Sequence, residues 1–239
     1  MVMLERDPKA FPPAPPASLD DARAVLETDW SAFTRIGRMS DHWDRPGWTA
    51  GHRAYYWMVT FAGASGLVDE ALSCQNALAE LAMDPVPADG LHITMAKIGN
   101  RDQVTGPQLG ALAGAVRGTL GRPFRLLAHP MAGSRGAIRF TLTPWTELVA
   151  LHAGLTQAGA RAGVPGGGGT PLFRPHLGIL YNNRDREAAT PIQAVAALRS
   201  RSPVELTVNA VQLVELRRDA RAYRWDTLHE LALDGAVQP

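Results

Sequence analysis

One cysteine, Cys74, is all the chain holds, so no disulfide can form within it. Its expected place on the apolar face of a helix makes it a core residue. No uninterrupted apolar run of about 18 residues occurs, so no membrane span is expected. Residues 1–21 are acidic and proline-rich, without the basic start and apolar run of a signal peptide. A cytoplasmic protein is the expectation. A basic excess is missing as well: the formal net charge is +1. Gripping long nucleic acid by its phosphates requires such an excess, whereas a small phosphate-bearing ligand needs only a local cluster. Lysine occurs only at Lys9 and Lys97, so nearly every basic residue is an arginine. Arginine suits two-pronged contact with phosphate or carboxylate. A GC-rich coding bias is the simpler cause, and it also accounts for the many Ala, Gly and Pro residues. His42, His52, His129, His152 and His229 show no metal-ligand spacing, and no cysteine partners exist for them. They read as structural or surface residues, and neither a metal nor a cofactor is expected. No Gly-x-Ser-x-Gly elbow is present.

What is present is a regular alternation of strand and helix patterns. Residues 1–17 read as an extended arm, and Ser18 as the cap of a helix over 19–35 with Ala22, Leu26, Trp30 and Phe33 on one face. The stretch 38–52 reads as a packed loop. Strands are expected over 53–62, 91–98, 124–128, 137–143, 175–181, 204–216 and 224–233. Helices are expected over 69–83, from Thr105 and Pro107 to Leu120, over 144–162, and from Thr190 to about residue 200. The sequence divides into an N-terminal arm and helix at 1–52, a bilobal unit at 53–233 with repeats of about 53–130 and 136–233, and a tail at 234–239.

The two repeats share an order: strand, helix, strand, helix, strand. In each, the second strand carries a histidine. The first reads LHITMAKIGN over 91–100 and the second PHLGILYNN over 175–183. His92 and His176 lie 84 residues apart, close to half of the regular part of the chain. A duplicated unit with pseudo-twofold symmetry brings both into one central groove. Strand side chains alternate faces, so His92 and Thr94 share one face while Ile93 and Met95 enter the core. His176 and Gly178 likewise oppose Leu177 and Ile179. With an ordinary pKa of about 6.5, one imidazole can be neutral and accept a proton while the other is charged and donates one. A phosphodiester held between them opens by in-line displacement, with Thr94 stabilising its oxygens.

LHITMAKIG and RPHLGILYNN resemble the two signature strands of the two-histidine phosphoesterase superfamily, which includes the 2′-5′ RNA ligase-like proteins and cyclic phosphodiesterases. Residues 213–233 resemble the end of the actinobacterial branch of those ligase-like proteins. The resemblance spans roughly residues 53–233. It implies an α+β fold in which two antiparallel sheets face each other across a groove with helices outside. It also implies cofactor-free chemistry at a cyclic or 2′,5′-type phosphodiester, with His92 and His176 as the acid–base pair and Thr94 as a phosphate ligand. The family pattern has Ser or Thr where this chain has Gly178. The change removes one hydroxyl from the phosphate site or makes room for a different substrate, and Tyr181 and Asn182 stand close enough in sequence to replace it.

Other residues join this picture. Tyr56 lines the groove if its strand lies beside His92, and is otherwise an ordinary packed aromatic. Of Arg217, Arg218, Arg221 and Arg224, only Arg224 is expected to hold a phosphate or ribose; the rest read as a solvated hairpin. Arg174 is a weaker candidate. Gly166–Gly169 lack the Lys of a phosphate-binding loop and read as a flap over the groove. The expected function is metal-independent phosphoester chemistry on a small nucleotide or RNA terminus by a monomer. Two alternatives stand beside it: the same histidines moving protons on a non-phosphate metabolite, and a module that binds a nucleotide or RNA end without turnover.

Overall fold

A computed structural model describes residues 3–44, 46–49, 51–117 and 120–233. The expected tail at 234–239 lies outside them. The first part of the chain forms α1 (Ala22–Thr34), β1 (Arg38–Met39), β2 (Arg53–Thr60), α2 (Ser65–Ala77), β3 (Asp84–Pro85) and β4 (His92–Asn100). Next come α3 (Gly106–Val116), β5 (Phe124–Gly133), β6 (Ala137–Thr143), α4 (Thr146–Arg161) and β7 (Leu177–Tyr181). The chain closes with β8 (Arg186–Glu187), α5 (Ala189–Ala196), β9 (Val204–Val208), β10 (Ala210–Asp219) and β11 (Ala222–Ala232). The class is α+β, as the family resemblance implies.

All strand pairs are antiparallel. One sheet has four strands in the order β11-β10-β2-β4, and the other has five in the order β3-β7-β6-β5-β9. The sheets do not follow the two halves of the sequence. β5, from the first expected repeat, joins the five-stranded sheet, while β10 and β11 complete the sheet that holds β2 and β4. The single strand expected over 204–216 is two strands in different sheets, parted at Asn209. Each sheet therefore draws on both repeats.

Local chemistry sets the elements. β2 is aromatic and β-branched along its length, which suits a pleated surface. Thr105 and Gln108 form a reciprocal capping box at the start of α3, with Pro107 in its first turn. The cap of α1 is Asp21, whose side chain accepts from the Arg23 N–H, and not Ser18. Ser18 instead accepts from the Asp20 and Asp21 amides. The buried face of α1 is Val25, Asp29 and Phe33, which shares Phe33 with the expected stripe but puts Val25 and Asp29 where Leu26 and Trp30 were expected. The reason is an ion pair: Asp29 meets Arg139 and the Thr141 hydroxyl of β6, all fully buried. Phe33 presses on Gly133, where an added Cβ would lie 2.4 Å from its ring. Only glycine admits that contact.

The N-terminal arm is likewise tied down. Arg174, 5% exposed, donates to the carbonyls of Glu5, Pro12, Pro171 and Phe173. It is a clamp on the arm, and its guanidinium points away from ligand chemistry. The glycine-rich segment is no flap over the groove. The Gly166 N–H donates to the Ile98 carbonyl, and Gly167 packs on Lys97, beside a separate small cavity lined by Trp57 and Leu155.

Candidate functional site

His92 opens β4 and His176 immediately precedes β7. Each ring is anchored in the same way. His92 Nδ1 lies 2.7 Å from the Gly90 carbonyl, and His176 Nδ1 lies 2.9 Å from the Arg174 carbonyl, in both cases two residues upstream. A carbonyl can only accept, so Nδ1 carries the proton and Nε2 is the nitrogen each ring offers the cavity. The matched anchoring is a local echo of the repeat seen in the sequence.

Both histidines line one cavity of about 270 Å³, together with Thr94, Tyr56, Gly178 and Tyr181. The register explains the first group. Thr60 pairs with His92 and Met58 with Thr94, so Tyr56, Met58, Thr60, His92 and Thr94 share a face of the four-stranded sheet. Tyr56 thus takes the groove-lining position. Among the described residues, no Asp, Glu, Lys or Arg lines the cavity. Any fixed positive charge they give it must come from an imidazole. Burial pushes the His92 ring below its ordinary pKa, with the bond to Gly90 opposing in part. The shift favours the neutral ring of His92 near neutral pH.

Several cavity residues lie outside the sequence-derived set. His42, Trp48 and Tyr223 form an aromatic wall with Tyr181, and Leu216 stands beside them. His42, expected to be structural or on the surface, stacks on Tyr181 at 4.0 Å and 17°, and its Nε2 is 3.0 Å from the Tyr223 hydroxyl. Arg218, expected to be solvated, stands behind the wall over Trp43, Trp48 and Tyr223. Its Nε and Nη2 are buried without a hydrogen-bond partner among the described residues. Clusters of Trp and Tyr in the segments 43–57 and 223–225 were the only signal for this wall, and they read equally well as core.

Arg224 is not brought to the cavity. It pairs with Asp89 at 2.8 Å, at the turn before β4. Its neighbour Trp225 does reach the site, with its ring 5.3 Å from that of His92. β11 and β4 are opposite edges of one sheet, so that sheet curls until its edges meet over His92. The remaining histidines sit elsewhere: His152 bonds Thr170 and stacks on Phe173, and His129 bonds Thr143. Cys74 is buried, and burial pushes its thiol up to about 12, away from nucleophilic use. Among the described residues no group of His, Cys, Asp or Glu is placed to hold a metal, and no helix is long and apolar enough to cross a membrane.

Two facing antiparallel sheets with a histidine contributed by each define a two-histidine phosphoesterase fold. The chain belongs to the 2′-5′ RNA ligase superfamily, whose family model matches residues 69–220. Solved structures share the fold. E. coli LigT in complex with 3′-AMP aligns with a TM-score of 0.58 at 19% identity, covering 76% of this chain and 98% of that one. The protein TT0787 of Thermus thermophilus aligns at 0.56 and 20%, covering 76% and 98%. A further structure, described as a phosphoesterase, aligns at 0.55 and 20%, covering 77% and 99%. No curated protein matches the chain by sequence comparison.

Proposed function

We propose that this protein is a metal-independent phosphodiesterase acting on a small nucleotide or RNA terminus that carries a cyclic or 2′,5′-linked phosphodiester. The observation that carries the reading is the pair of cavity histidines, each with Nδ1 fixed to a carbonyl two residues upstream. His92, held neutral, takes the proton of the attacking water or hydroxyl as the new P–O bond forms. His176 gives its proton to the departing ribose oxygen as the old P–O bond breaks. Thr94 donates to a phosphoryl oxygen while charge builds there. A phosphodiester carries one negative charge, which one imidazolium matches in a cavity whose described lining holds no Lys or Arg. LigT structures contain 3′-AMP, ATP and NADP+, and of these the mononucleotide is the size of ligand proposed for this cavity. The protein works as a cytoplasmic monomer in this reading.

The test is turnover of nucleoside 2′,3′-cyclic phosphates and 2′,5′-linked dinucleotides with EDTA present. Wild type should turn over at least one of them. His92→Ala and His176→Ala should each lose about 10²–10⁴-fold in kcat. The acid limb of kcat/KM should fall below the ordinary imidazole pKa, because His92 is depressed. Absence of turnover across the panel sinks the proposal. Gly178, which lacks the family hydroxyl, favours a second reading: proton transfer by the same histidines on a non-phosphate metabolite. Turnover of such a metabolite, lost in both histidine variants, would establish it. Nucleotide binding without any turnover would leave only the binding-module reading.

A further inference from the structure

The first histidine strand keeps its motif hydroxyl, Thr94, and the second has Gly178 in that place. The structure shows what borders that space. A Cβ built on Gly178 would lie 3.4 Å from Tyr181 Cε1 and 3.7 Å from the Tyr181 hydroxyl oxygen. The phenol therefore borders the space beside the backbone of residue 178 where a serine or threonine side chain would project.

Strict alternation does not put it there. Residues 178 and 181 differ by three and would face opposite sides of a regular strand. The register between β6 and β7 is irregular: Arg139 pairs with Gly178 and Ile138 with Leu180, so Ile179 is an extra residue on β7. Ile179 and Leu180 both turn into the core. Parity is thereby reversed, and Tyr181, paired with Ala137, returns to the face of Gly178. Such a bulge re-aims a side chain. The ring is then held on several sides. His42 stacks on it, while Trp43 and Tyr223 meet it at steep angles, 5.2 and 5.6 Å away.

We propose that the Tyr181 hydroxyl replaces the missing second-motif hydroxyl as a hydrogen-bond donor to the anionic group of the substrate, from a ring that lies beside the backbone of Gly178. A phenolic O–H supplies the same single donor as a serine. The ring carries that donor from three residues further along β7, with its position set by the His42 stack instead of by a short side chain. This rests on the phosphoesterase reading of the site, and it makes Tyr181 a catalytic residue particular to the bulged strand.

The experiment compares wild type with Tyr181→Phe, Gly178→Ser and the double variant Gly178→Ser/Tyr181→Phe on the best 2′,3′-cyclic nucleotide. Tyr181→Phe removes one oxygen and keeps the ring. It should lower kcat by about 10²-fold, the usual effect of losing one such donor, with the acid limb of the pH profile unmoved. The double variant restores a hydroxyl at residue 178 and should recover at least tenfold of that loss. Gly178→Ser alone adds a second hydroxyl where Tyr181 already supplies the donor, and should not exceed wild type. Turnover by Tyr181→Phe within threefold of wild type overturns the proposal, and so does a double variant no better than Tyr181→Phe. Titration with inorganic phosphate and 3′-AMP separates this from failure of the phosphoesterase reading. If wild type turns over no nucleotide yet binds these anions, and Tyr181→Phe binds them at least tenfold more weakly, the donor role stands alone. Equal binding by the two proteins in that case overturns it.

Discussion

Among the seven histidines, identical side chains meet different environments, and environment alone sorts them. His152 is enclosed by α4, Thr170 and Phe173, and burial pushes its pKa down to about 4. In the unfolded chain it titrates at about 6.5. Above 6.5 both states are neutral and the ring costs nothing. As pH falls from 6.5 toward 4, the unfolded chain takes a proton that the folded protein refuses, so stability drops. The loss approaches about 3 kcal/mol by pH 4, at 1.36 kcal/mol per unit. Denaturant melts of wild type and His152→Gln across this window should show a steeper fall in wild type than in the variant, which keeps only the share from His92 and His129. Parallel pH profiles would contradict the assignment. His92 is depressed in the same direction but lines the cavity, so its titration is expected in the rate. The depression at His152 comes from packing, while the one at His92 falls on a ring that lines the cavity and, in the proposed function, takes a proton. The repeated strand motif singles out His92 in the sequence, and the cavity is what makes its depressed pKa matter for a ligand.

At the scale of elements, α1 is attached by charge. Its expected apolar stripe included Leu26 and Trp30, yet the helix is rotated so that Asp29 faces β6. Trp30 turns outward enough for Arg199 to lie over its ring at 4.1 Å. The Asp29–Arg139 pair is 2–3% exposed, so removing one partner strands a charge in a dry interior. Asp29→Ala should destabilise the protein by about 3–5 kcal/mol. Replacing both partners, as Asp29→Leu with Arg139→Met, should restore most of that stability. Chemical denaturation measures both, and a single variant within about 1 kcal/mol of wild type would show that the pair does not hold the helix. A helix-period count assigns a buried position to apolar residues by default. It had no means of choosing Asp29, because its partner lies 110 residues away.

At the scale of the molecule, the groove is made by a crossing of chain segments. Each sheet takes strands from both halves of the sequence, and the four-stranded sheet curls until β11 touches the turn before β4. Arg224 belongs to that closure. Its ion pair with Asp89 is half open to solvent, and such pairs contribute about 0–1 kcal/mol. Arg224→Ala should shift stability by no more than that and leave turnover within a few-fold of wild type. A hundredfold loss of turnover would return Arg224 to the substrate site, where a phosphate-gripping role was expected of it from sequence.

Local patterning was enough to specify most of the helices and strands and the two histidine strands with their inward faces, and the motif resemblance supplied the class of the fold. Period and strand alternation are properties of short segments, and a motif met twice at matching positions implies a shared site. The folded chain settled what such rules cannot express. Residues 204–216 part into two sheets at Asn209, since a strand's partners are chosen by the whole chain. His42 and Tyr223 reach the cavity from a loop and an outer strand distant in sequence. One extra residue in β7 reverses the alternation and delivers Tyr181 to the space beside Gly178. A bulge is defined by the register against a neighbouring strand, so no reading of β7 alone could have located it.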